Sequence, residues 1–452
     1  MLLLFVNKNS EQKQEINPIF KIKNPMLGLS RQQKAVVFGS WLGWSLDGYD
    51  LVLMLLVIPL ISKLFFPIGD PTFAILATFA AYIITLIMRP FGGAFFGNFG
   101  DKFGRKKAMI ITIMGFSVAT FATGLLPTWQ MVGILAPIIL IGLRFMQGFF
   151  AGGEWGSGAV ITMETATKMQ RGILSGFLQS GFNFGFVIAS IVFNFAIAVF
   201  PDEEFANIGW RVMFFTGIIP GLVALFVRIK MDESHVWKAN IKRKAIKSPF
   251  KKIFFDKIER KRFFFALIIM TGLMYSYYTS MGFFPTFLQN YIDIEKSEVG
   301  LLMIVATTTS LFGQIFTGYL SQKIGRMKTV AVFAMSAIVL AIPSLYGLYN
   351  STDPFERILY TIILIMAGTT GFGPIPAFLS ERFSTEIRNS ASGFVYNGGL
   401  IFGSWAPLIA VTLLEKAGNL LPYFLGANLI IGSIIILIGT KLNPETKDVE
   451  LD

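Results

Sequence analysis

Long apolar stretches recur along the whole of this 452-residue chain. A helix that crosses the hydrocarbon core of a bilayer needs about 20 apolar residues. Six suitable stretches lie in the first half, at 36–61, 72–96, 108–126, 131–162, 172–199 and 210–229. Six more lie in the second half, at 263–286, 299–320, 329–349, 356–379, 390–413 and 420–440. The sequence therefore predicts an all-α integral membrane protein with twelve transmembrane helices.

A duplicated motif divides these stretches into two sets of six. Gly97–Lys107 reads GNFGDKFGRKK, and a looser copy at Gly318–Lys328 reads GYLSQKIGRMK. Residues 164–177 and 381–394 form a second pair with nearly the same separation. An internal repeat at about half the chain length indicates a two-fold duplicated architecture. We expect a tail over 1–35, bundles over 36–229 and 263–440, a linker over 230–262 and a second tail over 441–452.

Positive charge is distributed unevenly along the chain. Most of the 39 lysines and arginines fall in the first tail, in loop 97–107 and in the linker, and few fall in the loops on the other side. Positive residues stay on the cytoplasmic side of a membrane protein. The net charge of +12 thus reflects topology and does not indicate a nucleic-acid surface. Both termini are expected in the cytoplasm, with the protein in the cell membrane.

Several kinds of catalytic site have no support in the sequence. The chain has no cysteine and one histidine, His235, so thiolate or clustered-histidine metal sites are not available. It also lacks a phosphate-binding GxxxxGK[ST] loop, which leaves ATP-driven pumping unsupported. We expect neither an enzyme nor a bound cofactor or metal.

Two carboxylates lie near the middle of the first apolar stretch. Asp47 and Asp50 are three residues apart, so they share one face of a helix. Charged groups at this depth are costly and normally face a cavity or a partner. Proton coupling through one of the two is the functional hypothesis, and a purely structural cap or ion pair is the alternative.

Other charged residues also fall inside apolar stretches. Arg144 requires an anion at that depth, either Asp47 or Asp50 or a substrate carboxylate, unless it forms a permanent structural pair. Glu154 follows on the same stretch and is either a relay or inner-gate residue or a member of a purely structural pair. Arg89 lies near the end of the second stretch, where its side chain can reach the interface, and we assign it a structural role.

The duplicated loops predict a conformational latch on the cytoplasmic side. Asp101 can meet the positive end of a neighbouring helix, and Arg105 can bridge to Glu164. Arg171 belongs to the same repeated segment as Glu164 and is included in the latch. Simple positive-inside charge explains the basic residues but not Asp101.

Polar side chains in later stretches are candidates for contacting a substrate, although such groups also bond helices together. They are Gln179, Asn183, Tyr275, Tyr278, Gln314, Tyr396 and Asn397.

The motifs resemble those of the major facilitator superfamily. Gly97–Lys107 is similar to its loop 2–3 motif, and Arg144-x-x-Gln147-Gly148-x-x-Ala151 is similar to the fourth-helix motif of proton-coupled members. Trp41–Asp50 resembles the first helix of the sialic-acid and monocarboxylate proton symporters, and aromatic-acid symporters share its two aspartates. Further similar segments are Arg89–Gly93, Gly153–Ser157, Gly209–Arg211 and Tyr396–Gly399.

The resemblance implies proton-coupled symport of a small organic anion, a carboxylate, by a monomer that works by alternating access. The proton gradient would be the driving force, with substrate, protons and lipids as the only partners. One first-helix aspartate would take the proton, Arg144 would balance it, and Asp101 and Arg105 would secure the cytoplasmic gate. A sugar or aromatic-acid carrier of the same fold, or a membrane sensor that retains it, are the alternatives.

Overall fold

The computed structural model describes residues 28–103, 105–229, 249–414 and 418–451, and within them all regular secondary structure is helical. The first half contains α1 (Arg31–Phe65), α2 (Pro71–Phe103), α3 (Arg105–Gly124), α4 (Trp129–Val132), α5 (Leu135–Ala151), α6 (Glu154–Thr165), α7 (Arg171–Val199), α8 (Asp202–Glu204), α9 (Trp210–Phe215) and α10 (Ile218–Ile229). A π-helical turn, Phe205–Gly209, precedes α9.

The second half repeats this architecture. It contains α11 (Pro249–Phe255), α12 (Lys257–Tyr277), α13 (Phe284–Asn290), α14 (Lys296–Ile324), α15 (Arg326–Asn350), α16 (Pro354–Thr369), α17 (Ile375–Arg382), α18 (Arg388–Gly403), α19 (Ala406–Leu414) and α20 (Leu421–Leu442). A π-helical turn, Tyr278–Gly282, joins α12 to α13, and a 3₁₀ turn, Thr370–Phe372, follows α16.

Eleven helical segments of the described chain are long and apolar enough to cross a membrane. The predicted stretch 210–229 differs, because it is divided between α9 and α10 at Thr216 and Gly217. Pro220, in the first turn of α10, has no N–H to donate to the carbonyl of Thr216, so the helix restarts there. The predicted all-α membrane fold is confirmed, with its sixth span broken.

Glycines allow α2 and α5 to pack backbone against backbone. A Cβ atom at Gly148 would lie 1.9 Å from the carbonyl oxygen of Thr85, and one at Gly152 would lie 1.9 Å from that of Arg89. From the other side, a Cβ at Gly92 would lie 1.8 Å from the carbonyl oxygen of Phe149. Small residues are needed for this approach in lipid, where packing and not hydrophobicity drives helices together. The contact fixes Arg89 inside the bundle.

The two halves meet along α7 and α14, and we call this contact the seam. At one end, a Cβ on Gly172 would lie 2.7 Å from the carbonyl oxygen of Gly318. In the middle, Asn183 donates to Ser310 at 2.9 Å. At the other end, the side chain of Asn194 packs on Gly300, where a Cβ would come within 2.1 Å. The seam therefore runs the length of both helices.

The Gly172–Gly318 end of the seam lies on the side of the predicted latch, and we call it the basic end of the molecule. The part of the predicted linker that the structure describes includes α11, which packs there through Phe254 against Phe263 and Phe394. Lys252 of α11 also pairs with Glu386. This part of the linker is therefore docked on the second bundle.

Candidate functional site

Asp47 of α1 and Arg89 of α2 form an ion pair inside the first bundle. Their side chains are 0% and 2% exposed. The guanidinium also lies 5.8 Å from the ring of Trp44. We had placed Arg89 near the end of its helix, within reach of the membrane interface. That placement was wrong, because α2 continues to Phe103 and Arg89 is buried inside the first bundle. Either charge alone would be costly at this depth, so each requires the other.

Asp50 has a different partner from Asp47. Its Oδ2 accepts a hydrogen bond from Gln147, which also donates to Thr120 at 3.1 Å. Asp50 Oδ1 has no hydrogen-bond partner in the part of the chain described. The two aspartates, three residues apart, thus turn to two different neighbours, α2 and α5.

Arg144 of α5 does not make the contact that we expected. It is fully buried and donates through Nη2 to the hydroxyl of Thr123, with the ring of Phe214 at 5.7 Å. No carboxylate of the described residues forms an ion pair with it. The expected pairing with Asp47 or Asp50 fails because Arg89 and Gln147 occupy those positions.

Glu154 is the first residue of α6, directly after the break at Gly152 and Gly153. Its side chain is buried. The amino end of a helix carries a partial positive charge, which favours a carboxylate at this position. The glycine break therefore positions an acidic group between the two aspartates and the basic end.

A narrow cavity lies between the two bundles, with Arg89 on its wall. Five of the predicted substrate-contact residues line it: Gln179, Asn183, Tyr278, Gln314 and Tyr396. The cavity volume that the centre of a water molecule can occupy is about 30 Å³. The cavity is therefore contracted here and has to widen to admit a ligand of amino-acid size.

Two predicted contact residues lie elsewhere. Tyr275 bonds to Asn428 within the second bundle, and Asn397 donates to the carbonyl oxygen of Gly152 at 3.4 Å. Several residues that line the cavity were not predicted as substrate contacts; they include Trp44, Arg89, Phe182, Tyr277 and Phe372. The position of Trp44, one helical turn before Asp47, was the available signal.

Aromatic side chains close the cavity toward the basic end. The rings of Trp155 and Tyr396 stack with their centroids 3.6 Å apart. Gln179 donates to the hydroxyl of Tyr396 at 2.9 Å and accepts from the indole of Trp155 at 3.5 Å. Since Trp155 and Gln179 belong to the first bundle and Tyr396 to the second, this cluster joins the halves.

Ion pairs and a terminal segment join the halves below this aromatic cluster. Glu164 pairs with Arg388 at 2.9 Å, and Arg171 lies 3.9 Å from Glu381. Arg171 also donates to the carbonyl oxygen of Val449 at 2.7 Å. The side chains of Asp101 and Arg105, the other predicted latch residues, lie outside the described residues.

The second repeat shows the pairing that we predicted for the first. Arg326, which corresponds to Arg105, donates to Glu381, the counterpart of Glu164, at 3.0 and 3.2 Å. Thr446 also donates to Glu381, at 2.8 Å. Glu445 accepts from the backbone N–H of Arg326 at 2.8 Å. A buried ion pair therefore anchors α15 to α17 and to the segment after α20.

The opposite end of the molecule is more open. A vestibule of about 510 Å³ lies between the halves there. Its lining includes Lys63, Gln289, Asp293 and Lys296. The structure is thus closed at the basic end and has an open vestibule at the other end.

The chain matches the family model of the Major Facilitator Superfamily over residues 35–407, with a second match over 267–449. It is 28% identical over 438 residues to a proline/betaine transporter of Escherichia coli (strain K12), covering 94% of this chain and 86% of that one. It is 31% identical over 397 residues to the inner membrane metabolite transport protein YhjE of the same strain, covering 85% and 88%.

A solved structure has the same fold. The xylose transporter XylE from E. coli, in a partially occluded inward open conformation, superposes with a TM-score of 0.73 at 18% identity, covering 93% of this chain and all of that one. None of these relatives is named a sialic-acid or monocarboxylate carrier, so that finer grouping stays a prediction. The chain therefore belongs to the major facilitator superfamily and is a multi-pass membrane transporter, not an enzyme.

Proposed function

We propose that this protein carries a small carboxylate-bearing molecule into the cell together with protons, by alternating access. The observation that carries the proposal is the buried Asp47–Arg89 ion pair, whose arginine lines the central cavity. Protonation of Asp47 removes the charge that holds Arg89. The arginine then needs another anion, because an unpaired buried charge is costly. A substrate carboxylate meets that need, so proton and substrate bind together.

A zwitterion is the substrate class that we favour. The cavity offers one arginine for a carboxylate and an aromatic wall that includes Phe182, Tyr277 and Tyr278. Aromatic rings attract cationic groups through their faces. The similarity to proline/betaine transporters supports a ligand that carries both charges. A simple carboxylate anion is the second candidate, since Arg89 is the cavity's only charged lining residue in the described chain.

The remaining acidic residues fit a route for the proton. Asp50, which accepts a hydrogen bond from Gln147, and Glu154, at the start of α6, are buried in the first bundle. With the basic end in the cytoplasm, the Glu164–Arg388 pair closes the inner mouth and the vestibule opens outward. In this state the cavity would load from outside the cell.

The test is uptake into proteoliposomes with and without an inward proton gradient. Labelled L-proline, glycine betaine, lactate, pyruvate, sialic acid and benzoate form the panel. We expect wild type to accumulate one of the first two only with the gradient, and Asp47→Asn to retain exchange while losing accumulation. Asp448→Asn, an exposed aspartate, is the matched control and should behave as wild type.

Two results would contradict the proposal. Accumulation that ignores the gradient and survives both Asp47→Asn and Asp50→Asn would exclude proton coupling through these groups. Accumulation of lactate or benzoate without proline or betaine would replace the zwitterion by the simple anion. Loss of accumulation in Asp50→Asn alone would move the proton site from Asp47 to Asp50.

A further inference from the structure

Resting on the proposed zwitterion transport, we infer that Asn183 and Gln314 form an acceptor site for N–H groups that spans the two halves. Such a site selects a primary or secondary ammonium over a fully methylated one. Asn183 belongs to α7 and Gln314 to α14, and both line the central cavity. Their side chains are 0% and 2% exposed, and Asn183 Oδ1 and Gln314 Oε1 have no hydrogen-bond partner among the described residues.

The hydrogen bonds fix which way the Asn183 amide points. Asn183 lies 2.9 Å from the hydroxyl of Ser310, which in turn bonds to the hydroxyl of Thr369. Thr369 donates its single hydroxyl proton to the carbonyl oxygen of Ile365 at 2.6 Å. Ser310 must therefore donate to Thr369, and it can only accept from Asn183. The NH₂ group of Asn183 faces Ser310, and its oxygen is left for the cavity.

The Gln314 amide is fixed by a simpler argument. Its nitrogen lies 3.2 Å from the backbone carbonyl oxygen of Thr369. A carbonyl can only accept, so the nitrogen has to face it. Both amides are thus anchored to Thr369, one through its hydroxyl and Ser310 and the other through its carbonyl. Because both residues also line the cavity, their two free oxygens are the acceptors that we assign to the site.

These two oxygens accept hydrogen bonds but cannot donate them. An ammonium with two N–H bonds can give one to each oxygen and so connect α7 to α14. A quaternary ammonium has no N–H and leaves both acceptors buried and unpaired, which is unfavourable. The aromatic wall does not discriminate between an ammonium with N–H bonds and a quaternary ammonium, because the rings attract either cation. Discrimination therefore falls to the amide pair.

Two unpaired hydrogen-bond donors elsewhere on the cavity wall suit the carboxylate of such a ligand. Trp44 Nε1 and Arg89 Nε have no hydrogen-bond partner in the described chain, and Arg89 Cζ lies 5.8 Å from the centroid of the Trp44 ring. A carboxylate can accept from both. The cavity thus carries donors for a carboxylate and, separately, acceptors for an ammonium.

The test is a methylation series that lowers the N–H count one step at a time. L-Proline, N-methyl-L-proline and N,N-dimethyl-L-proline carry two, one and no N–H bonds on the same ring and carboxylate. We expect the apparent affinity of wild type, measured as competition against labelled proline uptake, to fall by about tenfold or more over the series. Asn183→Leu and Gln314→Leu should each flatten the ranking. Asn350→Leu, an amide outside the cavity, should preserve it.

The outcomes separate this inference from the proposed function. The wild-type series is informative even where a variant does not fold. Equal or stronger competition by the dimethyl compound, with proton-driven uptake intact, overturns the inference and leaves the transport proposal standing. Proton-driven uptake of lactate or benzoate with no binding of any proline derivative overturns both the inference and the zwitterion assignment.

Discussion

The indole of Trp155 and the phenol of Tyr396 stack across the boundary between the bundles, with 14° between their planes. Trp44 packs edge-on against both rings, at 6.4 and 5.6 Å. Trp44 and Tyr396 therefore line the cavity and also belong to the aromatic cluster that closes it. Opening the basic end has to separate this stack.

Loss of the stack should favour the state that is open at the basic end. An aromatic pair contributes about 0.5–1.5 kcal/mol beyond its buried area, so Trp155→Ala should raise the open population about two- to twelve-fold. The chain has no cysteine, and Ser157→Cys, in the crevice below the stack, reports opening by its maleimide labelling rate. Trp155→Phe, which keeps a ring, is the control. An unchanged rate in Trp155→Ala would exclude the stack as a closure.

The glycine contact at the basic end should tolerate no side chain. A Cβ at Gly318 would lie 2.5 Å from the carbonyl oxygen of Gly172 and 2.6 Å from the Cα of Gly176. Overpacking of this kind costs about 1–3 kcal/mol, so Gly318→Ala should deplete the closed state about 5- to 150-fold and raise Ser157→Cys labelling. Gly142→Ala, where a Cβ meets nothing within 4 Å, should have no effect. Normal labelling and uptake in Gly318→Ala would contradict the close packing.

Removal of the Glu381 charge should destabilise the second bundle. Glu381→Gln leaves Arg326 buried without a counter-ion, and both side chains are 0% exposed. Breaking such a pair costs about 3–5 kcal/mol. Thermal unfolding in detergent should show a clear fall in Tm. Glu386→Gln, which breaks the exposed pair with Lys252, should cost at most about 1 kcal/mol, and equal losses would contradict the assignment.

The start of α12 should be sensitive to acid. Backbone N–H groups of Glu259 and Ile258 donate to Asp256 at 3.0 and 2.8 Å and hold the pKa of its carboxyl below the ordinary aspartate value. Since the pKa is depressed in the folded state, the cap stabilises the helix above the ordinary aspartate pKa and is lost as pH falls through the depressed value.

Hydrogen exchange of the Ile258 and Glu259 amides, corrected for intrinsic rates, measures this cap. Protection should fall in acid in the wild type. Asp256→Asn retains an acceptor that does not titrate, so its protection should not change over the same range. If protection falls in acid to the same extent in both proteins, a group other than Asp256 causes the effect.

The fold was predictable because lipid imposes strict demands on a sequence. Each span needs a long apolar stretch and internal backbone hydrogen bonds, so helix positions follow directly from stretches such as 172–199 and 299–320. The repeated loops predicted two related bundles, and the Arg326–Glu381 pair has the form expected for its first-half counterparts. The break at Thr216 was missed because 210–229 is long and mostly apolar, although Thr216, Gly217 and Pro220 within it were a signal for an interrupted helix.

The pairing of charges was less predictable, because sequence gives the depth of a residue but not its neighbour. Whether Asp47 meets Arg89 or Arg144 depends on how closely α2 and α5 approach, and Gly92, Gly148 and Gly152 set that distance. These glycines were visible in the sequence, but their partners were not.

The tyrosines show a second limit. Tyr275 and Tyr278 were both predicted to contact the substrate, and a π-helical turn begins at Tyr278. The wider turn rotates the following residues relative to an α-helix. Tyr277 and Tyr278 line the cavity while Tyr275 bonds to Asn428, a difference that residue type and spacing did not reveal.

The Asn183–Ser310 hydrogen bond lies midway along the seam between α7 and α14. Gly172 and Asn194 each lie eleven residues from Asn183, or about 16 Å at 1.5 Å per residue. A tilt of about 15° around the Asn183–Ser310 bond would move each end by about 4 Å in opposite directions. Because the side chain of Asn194 already packs on Gly300, we expect the far end of the seam to stay closed when Gly172 separates from Gly318. Under the proposed alternating-access mechanism, the seam would therefore keep the two ends of the transporter from opening at the same time.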